Sequence, residues 1–230
     1  MQTLSLAEEG GVSRLLVIGA HSDDAEIGCA GAVLSLIARN PSIAVTWVVL
    51  AATGEREAEA RDSAEQLLAG AGDVTIMMGG FRDGFLPALG LEVKEFFERL
   101  KPVQPDLILT HQRNDLHQDH RTACEFTWNT FRDHLILEYE IPKWDGDLGA
   151  ANAFVPLSQE SVTAKVDHLM AHFASQRSKR WFTPNVFTGL MRLRGMECAS
   201  PSGYAEGFYG RKLSIGIEPD GLPANSSRDD

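Results

Sequence analysis

A histidine and two adjacent aspartates follow an apolar run near the start of the chain, in the segment VIGAHSDDAEIGCAG (17–31). The apolar residues 14–20 predict a strand and the residues after the motif have helical spacing, so the polar residues lie at a strand-to-helix turn. Two carboxylates would repel a phosphate, and Gly19, Gly28 and Gly31 lack the spacing of a dinucleotide-binding loop. The turn therefore favours a cation.

A second polar cluster, THQRNDLHQDH (110–120), ends the apolar run that begins at residue 106. In a doubly wound sheet, ligands bind outside the carboxyl ends of the neighbouring strands where the winding reverses. We therefore expect the two clusters to face each other, although about 90 residues separate them. His21, Asp24 and His120 would then supply two imidazole nitrogens and one carboxylate oxygen. A catalytic zinc on such a set keeps open positions for water and substrate.

The other polar residues of the two clusters are candidate catalytic residues. Asp23 would lie beside the ion without ligating it, free to accept a proton from water. His117 could donate to the oxyanion of a tetrahedral intermediate or act as a general acid. Asp119, between His117 and His120, could orient an imidazole and hold it protonated. Either motif alone is more often a helix cap with a favourable dipole interaction, but the pair at two strand ends favours catalysis.

Several nearby residues each have a functional and a purely structural interpretation. Arg56, after the second predicted strand, could hold a sugar hydroxyl or a phosphate, or be a solvated residue at a helix start. Asp115 could contact substrate or water at the metal, or only turn the loop. Cys29 is expected to be a small buried helix residue rather than a ligand. The basic run ASQRSKRW (174–181) is normally a solvated face, and attraction of an anionic substrate group is its alternative.

The elements that position these residues alternate between strand-length apolar runs and helical stretches, which is typical of a mainly parallel sheet with helices on both faces. Strands are predicted at 14–20, 43–53, 74–79, 106–111 and 135–142. Ser158 and Ser161 form a capping-box pattern before a later helix. The predicted fold class is α/β, a Rossmann-like, doubly wound sheet with C-terminal additions. It forms one domain over 1–230, with flexible ends at about 1–12 and 220–230.

Composition limits the classes of partner. The chain has 32 acidic and 21 basic residues and a net charge of -11, which argues against nucleic acid as a partner. Three cysteines are too few for a disulfide framework, and no apolar run reaches the roughly 20 residues of a membrane span. The first residues lack the basic start and apolar core of a signal peptide. We therefore expect a soluble, cytoplasmic protein.

AHSDD and HQRNDLHQDH resemble the two signature motifs of the LmbE-like, or PIG-L, family of zinc-dependent N-deacetylases. Weaker similarity in the usual order of the family extends the resemblance from about Arg14 to about Gly210. One departure is Ser22, where the family most often has proline. Proline would stiffen the turn by fixing φ, and serine removes no ligand. The resemblance implies a Rossmann-like deacetylase domain that acts on N-acetylated sugars and often assembles into homo-oligomers.

The resemblance also implies the roles of individual residues. The family's zinc ligands match His21, Asp24 and His120, its general base matches Asp23, and its oxyanion-stabilising histidine matches His117. These are the same assignments that the residue types and strand ends favour.

The sequence thus predicts a zinc-dependent hydrolase that removes an acetyl or small acyl group from the nitrogen of an amino-sugar or glycoconjugate. The alternative is a zinc amidase that acts on a larger N-acyl or thiol-conjugate substrate. A non-catalytic, metal-stabilised binding protein is a third interpretation, and the unligated Asp23 argues against it. Fe2+ or another divalent ion could also occupy such nitrogen and oxygen ligands.

Overall fold

The computed structural model describes Leu6 and residues 11–214, in which seven strands form one sheet of order β3-β2-β1-β4-β5-β7-β6. The strands are β1 (Arg14–Gly19), β2 (Ala44–Val49), β3 (Asp73–Met78), β4 (Leu107–His111), β5 (Leu135–Tyr139), β6 (Ala153–Pro156) and β7 (Ala205–Gly210). The helices are α1 (Asp24–Arg39), α2 (Glu55–Leu67), α3 (Gly90–Glu98), α4 (Gln118–Thr130), α5 (Gln159–His172) and α6 (Pro184–Glu197). Short 3-10 helices lie at Leu86–Leu89, Lys101–Val103 and Ala174–Gln176.

The first five strands are parallel and follow the predicted doubly wound order, so the predicted fold class is confirmed. The strand predicted at 43–53 is shorter in the structure and ends at Val49, although Leu50 and Ala51 still donate backbone hydrogen bonds beside β1. The C-terminal additions are α6 and two antiparallel strands on the β5 edge. Residues 1–5, 7–10 and 215–230 lie outside the described residues, so the prediction of flexible ends stays a prediction.

The core lies on both faces of the sheet because parallel strands are covered by helices on each side. In β1, Leu15 and Val17 belong to the cluster under α1, α2 and α5, whereas Leu16 and Ile18 belong to the cluster under α3 and α4. All four side chains are fully buried. Cys29 is also fully buried within the first cluster, as predicted for a helix residue. Successive side chains of a strand point to opposite faces of the sheet, so the position of a residue along β1 determines the face on which its side chain lies.

Close packing of α1 on β5 sets the position of the turn that joins β1 to α1. A Cβ atom at Gly28 would lie 2.2 Å from the ring of Tyr139, so only glycine fits the helix against this side chain. The Tyr139 hydroxyl donates a hydrogen bond to the carbonyl oxygen of Ile18 (2.7 Å). Since β1 and β4 are neighbours, their carboxyl ends at Gly19 and His111 lie at the same edge of the sheet.

Buried ion pairs attach the C-terminal additions to the sheet. Glu206 of β7 accepts hydrogen bonds from the backbone of α1 and from Lys165 of α5 (2.6 Å). Arg194 of α6 makes a bidentate pair with Glu140, with both distances at 2.6 Å. These contacts hold α5 against α1 and β7, and α6 against the residue that follows β5. No helix in the described residues has the length and apolar character needed to cross a bilayer.

Candidate metal centre and active site

Three donor atoms from the two predicted clusters converge at the edge of the sheet. His21 Nδ1 lies 3.1 Å from Asp24 Oδ2 and 3.2 Å from His120 Nε2. The third side, from His120 Nε2 to Asp24 Oδ2, is 3.3 Å. Zinc bonds of about 2.0–2.1 Å in a tetrahedral site separate neighbouring ligand atoms by about 3.3 Å. The donor set and its spacing therefore fit a zinc ion with one open side.

Two turns hold these ligands. His21 follows β1 and Asp24 opens α1, where the backbone N–H of His21 donates to Asp24 Oδ2 (2.7 Å). His120 lies in the first turn of α4, and the N-cap of that helix is His117. All three candidate ligand residues are buried, with 7 % exposure or less. The ligand atoms are thus fixed in place by secondary structure on both sides of the site.

Carboxylates on the far side of each imidazole set its orientation. His120 Nδ1 donates to Asp115 Oδ2 (2.9 Å), and His21 Nε2 is 3.2 Å from both Asp119 Oδ2 and Asp83 Oδ1. A carboxylate bonded to the second nitrogen selects the tautomer of a ligating histidine and raises its basicity. The geometry thus directs the His21 Nδ1 and His120 Nε2 lone pairs toward the same point.

The contacts of two of these carboxylates bear on the alternatives considered for them: Asp115 turns the loop, and Asp119 contacts an imidazole, that of His21. Asp115 is fully buried and bonded to His120, Lys143 and the His117 backbone, so it has no surface with which to contact a substrate. Asp119 contacts the ring of His21, not that of His117, and both of its oxygens accept backbone N–H groups at residues 84 and 86. Asp119 reaches His21 because β1 and β4 are neighbours in the sheet, whereas Asp115 contacts His120 within the same segment, five residues along the chain.

The carboxylates of Asp23 and Asp24 lie side by side but differ in environment. Burial opposes the charge of Asp24, yet His120, His21 and His111 together hold the pKa of Asp24 well below its usual range. Burial and the charge of Asp24 raise the pKa of Asp23, which Arg56 only partly offsets. Neighbouring acids with opposite pKa shifts are typical of a ligand beside a proton acceptor.

His117 is the N-cap of α4 and also lies beside the candidate ligands His21 and His120. Its Nδ1 accepts the backbone N–H of Asp119 (3.3 Å), which leaves the proton on Nε2. Its ring lies edge-on to His21, with 4.8 Å between centroids, and tilted against His120 at 4.6 Å. Burial and the neighbouring His120 and His21 lower its pKa, so His117 is neutral and offers an N–H donor. His117 also lies close enough to His21 and His120 to form an all-imidazole set of possible ligands.

Two residues at the site were not predicted from the sequence. His111, the last residue of β4, stacks on His120 with 4.0 Å between ring centroids, and its Nε2 is 3.3 Å from Asp24 Oδ2. The same Nε2 accepts the Ala20 N–H (2.9 Å), and burial together with His120 lowers the pKa of His111 to about 4. The lone pair of His111 Nε2 is therefore occupied by the Ala20 N–H group. His111 packs against His120 and holds the backbone of the turn that precedes His21.

Asp83 is the other unpredicted residue, and it lies with Arg56 at the mouth of the site. Arg56 donates to Asp83 Oδ2 (2.7 Å) and Ser22 Oγ (3.1 Å), and its third contact, to Asp23 Oδ1, is 3.5 Å. The hydrogen bond from His21 holds the pKa of Asp83 well below its usual range. Ser22, at the position of the family's proline, thus has a hydrogen-bonding partner of its own.

These residues line one open cleft of about 300 Å3. Its inner part contains His21, Asp23, Asp24, His117 and His120, and Arg56 and Asp83 lie at its side. We call the part lined by Trp144, Asp145, Lys179 and Trp181 the outer part; Lys143 also lines the cleft and lies beside Asp115. The volume is at the lower end of the range for small-molecule sites, about 300–1,000 Å3.

Residues 16–131, half of the chain, match the model of the PIG-L family, which is described as GlcNAc-PI de-N-acetylase. The match covers both clusters and the three candidate ligands His21, Asp24 and His120. The chain belongs to the PIG-L family. No curated protein matches the chain.

Solved structures share the fold of this PIG-L chain at low sequence identity. The N,N'-diacetylchitobiose deacetylase from Pyrococcus horikoshii is 19% identical with a TM-score of 0.66, covering 86% of this chain and 83% of its own. The 4-carboxy-2-hydroxymuconate hydratase GalB from Pseudomonas putida KT2440 is 17% identical with a TM-score of 0.72, covering 90% and 99%. The zinc-inhibited form of teicoplanin deacetylase Orf2 is 18% identical with a TM-score of 0.64, covering 85% and 97%. The fold therefore accommodates different reactions.

Proposed function

We propose that this protein is a zinc-dependent N-deacetylase that removes an acetyl or similarly small acyl group from the nitrogen of an amino-sugar or glycoconjugate. The observation that carries the proposal is the ligand triangle of His21, Asp24 and His120, with the unligated carboxylate of Asp23 in the same cleft. Membership of the PIG-L family supports the same reaction. A cytoplasmic location, assembly into homo-oligomers and the identity of the metal stay predictions.

A divalent ion on these ligands would polarise the amide carbonyl and lower the pKa of water. The chain itself supplies the base. Asp23 is 3 % exposed, and its carboxylate has Arg56 as its one charged contact at 3.5 Å in the described residues. Because burial and Asp24 raise its pKa, Asp23 is a better proton acceptor than an exposed carboxylate. It takes the proton of the attacking water and delivers it to the departing amine.

His117 supports the tetrahedral stage of the reaction. Its Nδ1 is occupied by the backbone N–H of Asp119, so its Nε2–H is the group available to a developing oxyanion. A neutral imidazole donor agrees with its lowered pKa better than an imidazolium acid does. The charges of Asp119 and Asp24 act to raise the pKa of His117, but burial and the charges of His120 and His21 outweigh them.

Arg56 and Asp83 form a polar edge suited to sugar hydroxyls. Both residues line the cleft and hydrogen-bond each other at 2.7 Å, so a guanidinium group and a carboxylate lie side by side there. A small cleft favours a small acyl group over the larger N-acyl substrates of the amidase alternative. The hydratase relative shows that the fold does not determine the reaction, so product analysis has to decide between hydrolysis and hydration.

The test measures bound metal and acetate release from a set of N-acetylated sugars. We expect the wild-type protein to bind about one zinc and to release acetate and free amine in equal amounts. Asp23→Asn should retain the metal and lose about 100-fold to 10,000-fold in kcat. His120→Ala should lose the metal, whereas His168→Ala, which removes a histidine outside the cleft, should retain it. Full activity of Asp23→Asn, or products of water addition without acetate, would overturn the proposal.

A further inference from the structure

The outer part of the cleft contains three side chains that the proposed reaction does not use. Trp144, Lys179 and Trp181 line the same cleft as the ligand triangle but are not among its ligands or their hydrogen-bonding partners. We refer to these three residues as the outer subsite. The inference below rests on the proposed function and concerns the part of the substrate that extends away from the acetamido group.

Trp144 is held in an exposed position by an anchored loop. It is 72% exposed, the largest value among the large hydrophobic side chains of the described residues. The side chain of the preceding Lys143 is nevertheless only 8% exposed, and its ammonium group pairs with Asp115 (3.0 Å) and Asp147 (2.5 Å). Asp147 also accepts the backbone N–H of Leu116 (2.7 Å). Trp144 also lines the cleft, so it presents there an apolar ring face that can pack against a ligand and an N–H group that can donate a hydrogen bond.

Lys179 is the available cation of the cleft. The other two cationic side chains that line it, Arg56 and Lys143, are each paired with carboxylates. Lys179 has no ion pair within 4.0 Å among the described residues, and its Nζ lies 5.7 Å from the ring centroid of Trp181. It belongs to the basic run 174–181 but differs from its neighbour Arg177, which donates to the carbonyl oxygen of Ala171 (2.9 Å).

We propose that the outer subsite binds an anionic group, a carboxylate or a phosphate, carried by the portion of the substrate attached to the amino-sugar. The two indoles provide apolar faces for a ring or for aliphatic carbons, and the ammonium group of Lys179 provides a charge-assisted hydrogen bond. Asp145 lines the same cleft with the opposite charge. A cationic attached group is therefore the competing possibility, and the experiment includes it.

The experiment compares four glycosides of N-acetylglucosamine, whose attached groups bear a carboxylate, its neutral carboxamide, a phosphate or an ammonium group. Acetate release by the zinc-loaded protein gives kcat/KM for each, and calorimetry gives the binding affinity of each deacetylated product. We expect the carboxylate or phosphate substrate to exceed the carboxamide by about fivefold or more, the effect of one partly exposed charge pair. Which anion is preferred distinguishes the two sources of charge.

Two sets of variants assign the preference to the outer subsite. The ratio of anionic to neutral kcat/KM should fall to about one in Lys179→Gln and invert in Lys179→Glu. Arg180→Gln removes an exposed charge of the same basic run that does not line the cleft, so its ratio should equal that of the wild type. Trp144→Ala should raise KM for every substrate with a ring in the attached group, and Trp144→Phe should restore most of the loss.

The outcomes separate this inference from the proposed function. If acetate is released but the carboxamide or ammonium substrate is used as well as the anionic ones, the anionic subsite is wrong and the deacetylase assignment stands. If no acetate is released, the proposed function is wrong, and calorimetry still tests the subsite. Equal affinity for anionic and neutral ligands, or an unchanged preference in Lys179→Glu, would overturn it.

Discussion

Replacing Asp115 by asparagine tests whether this buried carboxylate tunes the metal site through His120. The carboxylate accepts the His120 Nδ1 hydrogen at 2.9 Å, and an asparagine carbonyl oxygen can still accept it, so the geometry is retained while the charge is lost. A hydrogen bond to a charged group contributes about 1.5–3 kcal/mol and a neutral one about 0.5–1.5 kcal/mol. The difference of about 1.5 kcal/mol corresponds to roughly tenfold weaker zinc binding. This is the lower end of the range for a residue that supports a ligand, about 10–100-fold.

Competition with a chromogenic zinc chelator measures the affinity, and circular dichroism confirms that each variant is folded. Asp147→Asn is the matched control, because Asp147 pairs with the same Lys143 and is buried but does not contact His120. We expect Asp147→Asn to bind zinc like the wild type. Wild-type affinity in Asp115→Asn, or equal weakening in both variants, would refute the role of Asp115 in orienting and polarising His120.

Three further predictions concern packing, protons and metal removal. Gly28→Ala should lower the free energy of unfolding by about 1–3 kcal/mol, because its Cβ would overlap the Tyr139 ring. Gly189→Ala, whose Cβ would have no atom within 4 Å, should be neutral or stabilising. Urea denaturation measures both free energies, and equal effects would contradict the packing argument. Without metal, carboxylate neighbours raise the pKa of His21 and His120 despite burial, which acts in the opposite direction. Protons therefore begin to compete with zinc at a pH above the ordinary histidine pKa of about 6.5, and zinc affinity should fall as the pH decreases further. Calorimetry in buffers of different ionisation enthalpy should detect the protons that are released when zinc binds. A pH-independent zinc affinity would exclude this competition. Chelation should lower Tm, because zinc at about 100 times its Kd stabilises the folded state by about 2.7 kcal/mol; an unchanged Tm would mean that the site does not hold the ion under those conditions.

The parallel part of the sheet could be predicted because its strands are short, apolar and separated by helical stretches. The antiparallel edge could not. Ala153–Pro156 has only four residues and ends in proline, and Ala205–Gly210 contains Glu206, whose burial depends on its partner Lys165 from α5. A strand stabilised by a distant ion pair has no local hydrophobic pattern. The helix α6 is similarly weak in pattern, since it contains two glycines.

The site could be predicted where residue type and strand ends coincide. His21 and Asp24 come directly after the predicted strand 14–20, and His120 ends the polar cluster that follows the predicted strand 106–111. The structure brings their donor atoms together. His111 is the last residue of the predicted strand 106–111, so its position suggests a strand residue and not a site residue. Asp83 stands alone in a loop, and its proximity to His21 arises from the pairing of β3, β2 and β1. A search for ionisable residues shortly after every parallel strand would have included Asp83.

Asp119 of α4 connects the loop after β3 to His21, which follows β1. Its oxygens accept the backbone N–H groups of Gly84 (2.7 Å) and Leu86 (3.1 Å), and one of them also lies 3.2 Å from His21 Nε2. We therefore expect an ion on the ligand triangle to restrict the motion of this loop as well as that of the ligands. The amide hydrogens of Gly84 and Leu86 should exchange with solvent more slowly once the ion is bound, which makes them site-resolved reporters of metal occupancy.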